Sequence, residues 1–238
     1  MLYNRRNTPL NIKKELDEML LQNTFTHLGD AIYSLLYKQI ISLEIPVDAI
    51  LSDTVIAKEL DVSRTPARGA LQRLQDEGLL ICKGRSFHVA PLDKDECRHL
   101  MELRLAMEGQ AAYWAAERIT ELQLADLKSQ LDRYAASCSA WKPDEIVESD
   151  HAFHQEIVDA AGNPLFRTVY AQFSPRVLHY RYFLFRQTPR ELLEPIMAQS
   201  VRHHQSVYDA IRLGFSDTAR KQLERDISGM TDIIGCWR

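Results

Sequence analysis

Residues 61–74 read Asp-Val-Ser-Arg-Thr-Pro-Ala-Arg-Gly-Ala-Leu-Gln-Arg-Leu, a tight turn feeding a short helix. Ser63 stands where a hydroxyl caps a helix N-terminus. Pro66 falls in the first turn, where a missing N–H costs nothing. Ala67, Ala70, Leu71 and Leu74 recur at three- and four-residue spacing, the mark of a core-facing stripe. The opposite side of the helix start is left with Arg64, Thr65 and Arg68. Two guanidinium groups and a hydroxyl at the tip of a helix suit entry into a DNA major groove.

The flanks extend the pattern. Asp30 to Leu43 predicts a helix with Ile32, Leu35, Leu36 and Ile40 in register, and Ser52 to Leu60 predicts a second, capped by Ser52. Gly78 follows the 64–77 helix as a stop. Residues 79–82 and 87–90 read as two short strands around Lys83-Gly84-Arg85-Ser86, a hairpin with a basic tip. Helix, helix-turn-helix and basic hairpin in that order make a winged helix. Arg73, Lys83, Gly84 and Arg85 join Arg64, Thr65 and Arg68 as expected DNA contacts.

Composition sets the bounds. The chain has 238 residues, 45% hydrophobic and 26% charged, ordinary for a soluble globular chain with room for two domains. No apolar run approaches the ~20 residues of a membrane span. Met1-Leu2-Tyr3-Asn4-Arg5-Arg6 lacks the apolar stretch of a secretory signal, so the expected location is the cytoplasm. Cys82, Cys97, Cys138 and Cys236 form no C-x-x-C pair and read as reduced thiols. The net charge of −4 is unevenly spread: residues 1–92 hold eleven basic and eleven acidic side chains, residues 93–238 eighteen and twenty-two. A balanced head with a local basic face suits specific phosphate contact without indiscriminate binding.

The expected organisation is mainly α. Residues 1–24 form an extension with Ile12, Leu16, Met19 and Leu20 in helical phase. Residues 25–92 form the winged helix-turn-helix domain. Residues 93–238 form an all-α bundle of six or seven helices. Asp93 with Glu96 and Thr120 with Gln123 read as capping boxes. Pro143, Asn163-Pro164, Pro195 and Ser216 open further helices, with a short segment over 189–194 and a kink at Ser174-Pro175.

Four polar residues fall on or beside apolar helix faces in that bundle. Asp150 and His154 share the face of Ile146, Phe153 and Ile157. His204 centres the face of Met197, Val207 and Ile211. Asp226 edges the face of Leu223, Ile227 and Met230. A core-facing carboxylate is costly unless paired or bound to metal. Two carboxylates and two imidazoles suit a divalent ion, and separate satisfaction of each group within the protein is the alternative. Arg104, among Cys97, Leu100 and Ala111, wants a carboxylate, either Glu108 one turn on or one from a ligand. Arg181 and Tyr170 lie near their own helix face.

The head resembles the DNA-binding domain of the GntR family of bacterial transcription regulators, on Val62-Ser63-Arg64-Thr65-Pro66, Arg68, Ala70-Leu71, Arg73-Leu74 and Glu77-Gly78-Leu79. Pro46-Val47-Asp48 replaces the family's Pro-Gly, and Gly69 replaces a frequent Glu that could orient Arg68. Residues 93–232 resemble the FCD effector-binding domain of the FadR subfamily, on Leu103-Arg104 with Glu108, Asp150-His151-Ala152-Phe153-His154, Ala160-Ala161-Gly162-Asn163-Pro164 and His204. That resemblance implies a divalent metal (zinc, nickel or manganese) on Asp150, His154 and His204. The family's fourth ligand is a histidine, and that position here is Asp226. His203 stands where the family usually has Glu. The resemblance also implies a homodimer on a pseudo-palindromic double-stranded operator and a small organic acid as effector, near Arg104, Arg181, His203 and Tyr170. The expected activity is ligand-controlled repression, with no membrane partner and no catalysis. A metal-dependent enzyme and a DNA-binding dimer without ligand response are the rival readings.

Overall fold

The computed structural model describes residues 12–22, 27–84 and 86–235, the side chains of residues 230–235 excepted. Contacts divide the chain into two compact units, Met1–Leu92 with Gln172–Tyr182, and Asp93–Ala171 with Phe183–Arg238.

In the first unit, α1 (Ile12–Gln22), α2 (Leu28–Ile41), α3 (Asp53–Leu60) and α4 (Arg64–Asp76) surround a core of fully buried Ile32, Leu36, Ile40, Ile56, Leu71 and Leu74. Burying such a side chain is worth roughly 1.5–3 kcal/mol, so the apolar stripe of α4 pins the helix and leaves its other side to solvent. The ends follow from local chemistry. Asp61 takes the left-handed conformation (φ 56°) that turns α3 into α4. Gly78 takes φ 74°, with Leu79 N–H donating to Leu74 O at 3.0 Å and Gly78 N–H to Gln75 O at 2.9 Å. This is a Schellman stop, sealed by the buried pair Leu74 and Leu79. Where the family resemblance expects Pro-Gly, the positive φ (63°) falls on Asp48, a residue type that tolerates it.

Two expectations about this unit need correction. Ser63 occupies the N-cap position of α4, but its hydroxyl makes no capping bond. An N-cap side chain bonds the N–H of the second or third helical residue, and the third here is Pro66, which has none. Ser52 likewise caps α3 by position without a side-chain bond. The wing consists of β2 (Leu80–Lys83) and β3 (Ser86–Val89), and a two-residue strand β1 (Ile50–Leu51) also pairs antiparallel with β3. The sheet order is β1-β3-β2. Two residues are too few to show alternation, so β1 was not anticipated.

The second unit is helical among the described residues: α5 (Lys94–Arg118), α6 (Glu121–Ser139), α7 (Pro143–Ala160), α8 (Pro164–Gln187), α9 (Arg190–Arg212) and α10 (Ser216–Gly235). The middle of α8 is the stretch that groups with the first unit. Asp93 accepts from Glu96 N–H at 2.8 Å, Thr120 and Gln123 form a complete capping box, and Asn163 accepts from Phe166 N–H at 3.1 Å. Pro195 does not open a helix. It lies inside α9, which starts five residues earlier. Leu193, 1% exposed, extends the buried stripe of Met197 and His204 back past the proline, and Arg190 pairs with Glu194 at 3.2 Å. That packing outweighs one lost backbone bond.

Gly69 lies exposed in α4 with nothing within 4 Å of the position a Cβ would take. Gly69→Ala should therefore stabilise the protein by about 0.5–1 kcal/mol, seen as a higher urea midpoint for the head. A lower midpoint would show that α4 uses the glycine.

Candidate functional site

The DNA-facing candidates belong to the first unit. Arg64, Thr65 and Arg68 are exposed at the start of α4, and Lys83 and Gly84 are exposed at the wing tip. Arg85 lies outside the described residues. Arg64 donates from Nη2 to Asp53 Oδ1 and Oδ2 at 3.2 and 3.0 Å, and Arg68 Nη1 is 3.8 Å from the same carboxylate. Arg73 has a different setting. It lies about 13 Å further along the helix at 1.5 Å per residue. Its guanidinium covers the Tyr33 ring at 3.6 Å and pairs with Asp30 at 3.4 Å and Glu77 at 3.5 Å. Tyr33 in turn donates to Glu77 at 2.8 Å. Arg73 thus ties α2 to α4.

Three helices of the second unit, α7, α9 and α10, bring Asp150, His154, His204 and Asp226 together, with one ligand atom from each lying within 4.8 Å of all the others. His154, His204 and Asp226 are buried, and the Asp150 side chain is 16% exposed. His154 Nε2 is 3.3 Å from Asp226 Oδ2 and 3.7 Å from Asp150 Oδ1. His204 Nε2 is 3.2 Å from Asp150 Oδ1. Ligands at the usual zinc bond lengths are separated by about 3.3 Å along a tetrahedron's edge, so these spacings need little adjustment to close on an ion.

Neighbouring groups fix both rings. His154 Nδ1 donates to Glu108 Oε2 at 2.7 Å, which turns Nε2 toward the cluster. His204 Nδ1 donates to the Ser200 carbonyl at 2.9 Å. The His204 ring sits between Tyr134, stacked at 4.4 Å, and Phe153 at 4.3 Å. Ser200 donates its hydroxyl to Asp226 Oδ1 at 2.8 Å, leaving Oδ2 to face His154. Such outer partners set ring tautomer and carboxylate orientation in metal sites. His204 Nε2 is buried and makes no hydrogen bond despite its contact with Asp150. A buried imidazole nitrogen without a hydrogen bond, 3.2 Å from a carboxylate, fits a cation ligand.

The electrostatics agree. Burial alone would lower the His204 pKa, but Asp226 and Asp150 overcome it and hold it up to about 10. Burial likewise opposes charge on His154, and Glu108, Asp150 and Asp226 raise its pKa. Burial pushes Asp226 up, and the two histidines hold it well below the usual carboxylate range. A divalent cation can replace the two Nε2 protons without changing the net charge of the cluster.

Arg104 and Tyr170, both expected near an effector, meet on Glu108, the protein partner that spacing offered for Arg104. Arg104 grips Glu108 with Nε at 2.8 Å and Nη2 at 3.1 Å, and Tyr170 donates to the same carboxylate at 3.0 Å. Both act as supports for Glu108. The sequence suggested the Arg104–Glu108 pair, but nothing in its spacing revealed that Glu108 also orients His154. Arg181 is buried. His203 is 4.0 Å from Asp226 and borders a cleft of 490 Å³ lined by Gln199, Lys221, Glu224, Arg225 and Ser228.

Comparison with known proteins gives the context. Residues 28–89 match the family description "Bacterial regulatory proteins, gntR family", and residues 99–229 match the FCD domain. The chain is 25% identical to the HTH-type transcriptional repressor RspR of Escherichia coli K12, over 87% of this chain and 89% of that one. It is 30% identical to the putative L-lactate dehydrogenase operon regulatory protein of the same strain, over 73% and 72%. E. coli McbR/YncC shares the fold at 19% identity, with a TM-score of 0.76 over 90% of this chain and 99% of that one. A putative GntR regulator from Rhodococcus sp. RHA1 does so at 18% identity with a TM-score of 0.72, over 90% and 100%. These relatives are regulators, which sets aside the metal-dependent enzyme as a reading of the bundle.

Glu108→Ala would strand the buried Arg104 guanidinium, and removing one partner of a buried pair costs about 3–5 kcal/mol. Chemical unfolding checks this, and a loss under 1 kcal/mol would mean that the pair is not holding the bundle. With both domain matches in place, the chain belongs to the GntR family of bacterial transcription regulators and carries an FCD domain behind its winged helix-turn-helix head.

Proposed function

We propose that this regulator is a homodimeric repressor whose grip on a pseudo-palindromic operator is set by a divalent metal and a small organic acid held in the FCD domain. The observation that carries the reading is the convergence of two imidazoles and two carboxylates around the buried, unbonded Nε2 of His204. Asp150, His154, His204 and Asp226 would hold the ion. The carboxylate at position 226 makes the set harder than one with three histidines, which shifts its preference toward harder ions such as manganese while its two imidazoles still suit zinc or nickel. Bound there, the metal supplies a positive anchor for an acid's carboxylate. Effector binding biases the arrangement of the two heads, and couplings of ~1–3 kcal/mol suffice for a switch of several-fold to about a hundredfold.

Arg64, Thr65 and Arg68 would read base edges, with Lys83, Gly84 and Arg85 on the backbone or minor groove. Arg73 is assigned to the fold. Two relatives support the direction and the ligand class: one is named a transcriptional repressor, and another is named a putative L-lactate dehydrogenase operon regulatory protein. No helix among the described residues is long and apolar enough to cross a membrane.

Elemental analysis after chelator-free purification should find about one divalent ion per chain, lost in the Asp150→Ala/His204→Ala variant. Retained metal in that variant would place the ion elsewhere. A thermal-shift screen of small hydroxy and dicarboxylic acids should raise Tm for some members and release DNA with the same members. Unchanged Tm and DNA affinity across the panel would support a DNA-binding dimer without ligand response. Arg64→Ala should lose roughly 1–3 kcal/mol of base discrimination. Unaltered selectivity in a binding assay would remove Arg64 from the reading set.

A further inference from the structure

Asp53 opens α3, and its side chain is only 14% exposed, whereas those of Arg64 and Arg68 are 65% and 70% exposed. Both arginines lean on this one carboxylate. Arg64 places a single amino group, Nη2, on both oxygens. Arg68 approaches more loosely at 3.8 Å. The carboxylate is itself steadied, since Thr54 donates its hydroxyl to Oδ1 at 3.1 Å.

Arginine carries five N–H groups in one plane. Fixing Nη2 on a steadied carboxylate fixes that plane and leaves Nη1 and Nε uncommitted to Asp53. An arginine held this way meets a guanine edge with less freedom to lose, and pre-organisation of this kind favours the correct partner. The same negative charge weakens attachment of both arginines to any phosphate that happens to be near. Position 69, the next residue after Arg68, is glycine and offers no carboxylate to do this work.

We infer that Asp53 is a specificity-determining residue of DNA recognition, holding Arg64 and Arg68 in reading position and opposing their capture by arbitrary phosphates. The inference rests on the proposed base-reading role of Arg64. As a positioning residue, Asp53 acts through the arginines and does not itself need to touch DNA. A purely structural role at the start of α3 would instead lower stability and weaken binding to every duplex alike.

The test uses the full-length protein and two duplexes of equal length. One is selected from a random pool by the unmodified protein, and the other is its scrambled sequence. Affinities are read by fluorescence anisotropy across a salt series. Asp53→Asn keeps the side-chain shape and removes the charge. It should raise affinity for the scrambled duplex about threefold, steepen its salt dependence by about one phosphate contact and lower the selected-to-scrambled ratio about tenfold. Asp53→Glu should recover much of the ratio. Asp53→Asn combined with Arg64→Ala should lose less selectivity than the two separate losses added together, because Asp53 acts largely through Arg64, the remainder being its hold on Arg68. An unchanged ratio in Asp53→Asn, alongside a reduced ratio in Arg64→Ala, would overturn the role of Asp53 and leave the reading of Arg64 intact. An unchanged ratio in Arg64→Ala would overturn both.

Discussion

A knot of ionised side chains sealed among helices is the constraint on which the FCD domain depends. Arg104, Glu108, His154, His204 and Asp226 are all nearly inaccessible to water. Each would be costly alone, and together they are tolerable only when every charge meets its opposite at close range. The pairs sit one turn apart within helices, as Arg104 with Glu108 and Asp150 with His154, and meet across helices as Glu108 with His154 and Ser200 with Asp226. A shift of any one helix by a turn would break several contacts at once. The cluster therefore fixes the registers of α5, α7, α9 and α10, and the same geometry that satisfies it leaves two imidazole nitrogens facing two carboxylates.

The head solves the opposite problem. Its functional charges must stay in water yet keep a defined pose. The buried stripe of Ala67, Ala70, Leu71 and Leu74 fixes where α4 lies, and Pro66 with the Gly78 stop fixes where it begins and ends. Arg73 is spent on Tyr33, Asp30 and Glu77, which ties α2 to α4. Beyond the part matched by the GntR description, α1 adds buried Ile12 and Leu16. Lys13 reaches the Leu60 carbonyl at 3.4 Å and Asp61 at 3.2 Å, at the turn between α3 and α4. α1 is thus part of the head's core, a role its sequence did not declare.

Features set by local chemistry were legible in the sequence. The Ser63–Pro66 helix start, the Gly78 stop, the Thr120–Gln123 box and the Asn163-Pro164 opening each depend on residues a few positions apart. Helical periodicity placed Asp150, His154, His204 and Asp226 on core faces, and the structure brings those faces together. What remained hidden depends on tertiary contact. β1 exists because β3 lies beside it. Pro195 stays inside α9 because Leu193 has a core to enter. Glu108 could be paired with Arg104 by spacing, but its grip on His154, on another helix, appears only once α5 and α7 are packed.

X-ray absorption at the metal edge of the full-length protein, purified without chelator, tests the central claim most directly. The account predicts a first shell of two imidazole nitrogens and at least two oxygens at about 2.0–2.2 Å, with further light-atom scattering from the two rings. A sulfur shell near about 2.3 Å, or a protein that binds no divalent ion at all, would contradict it.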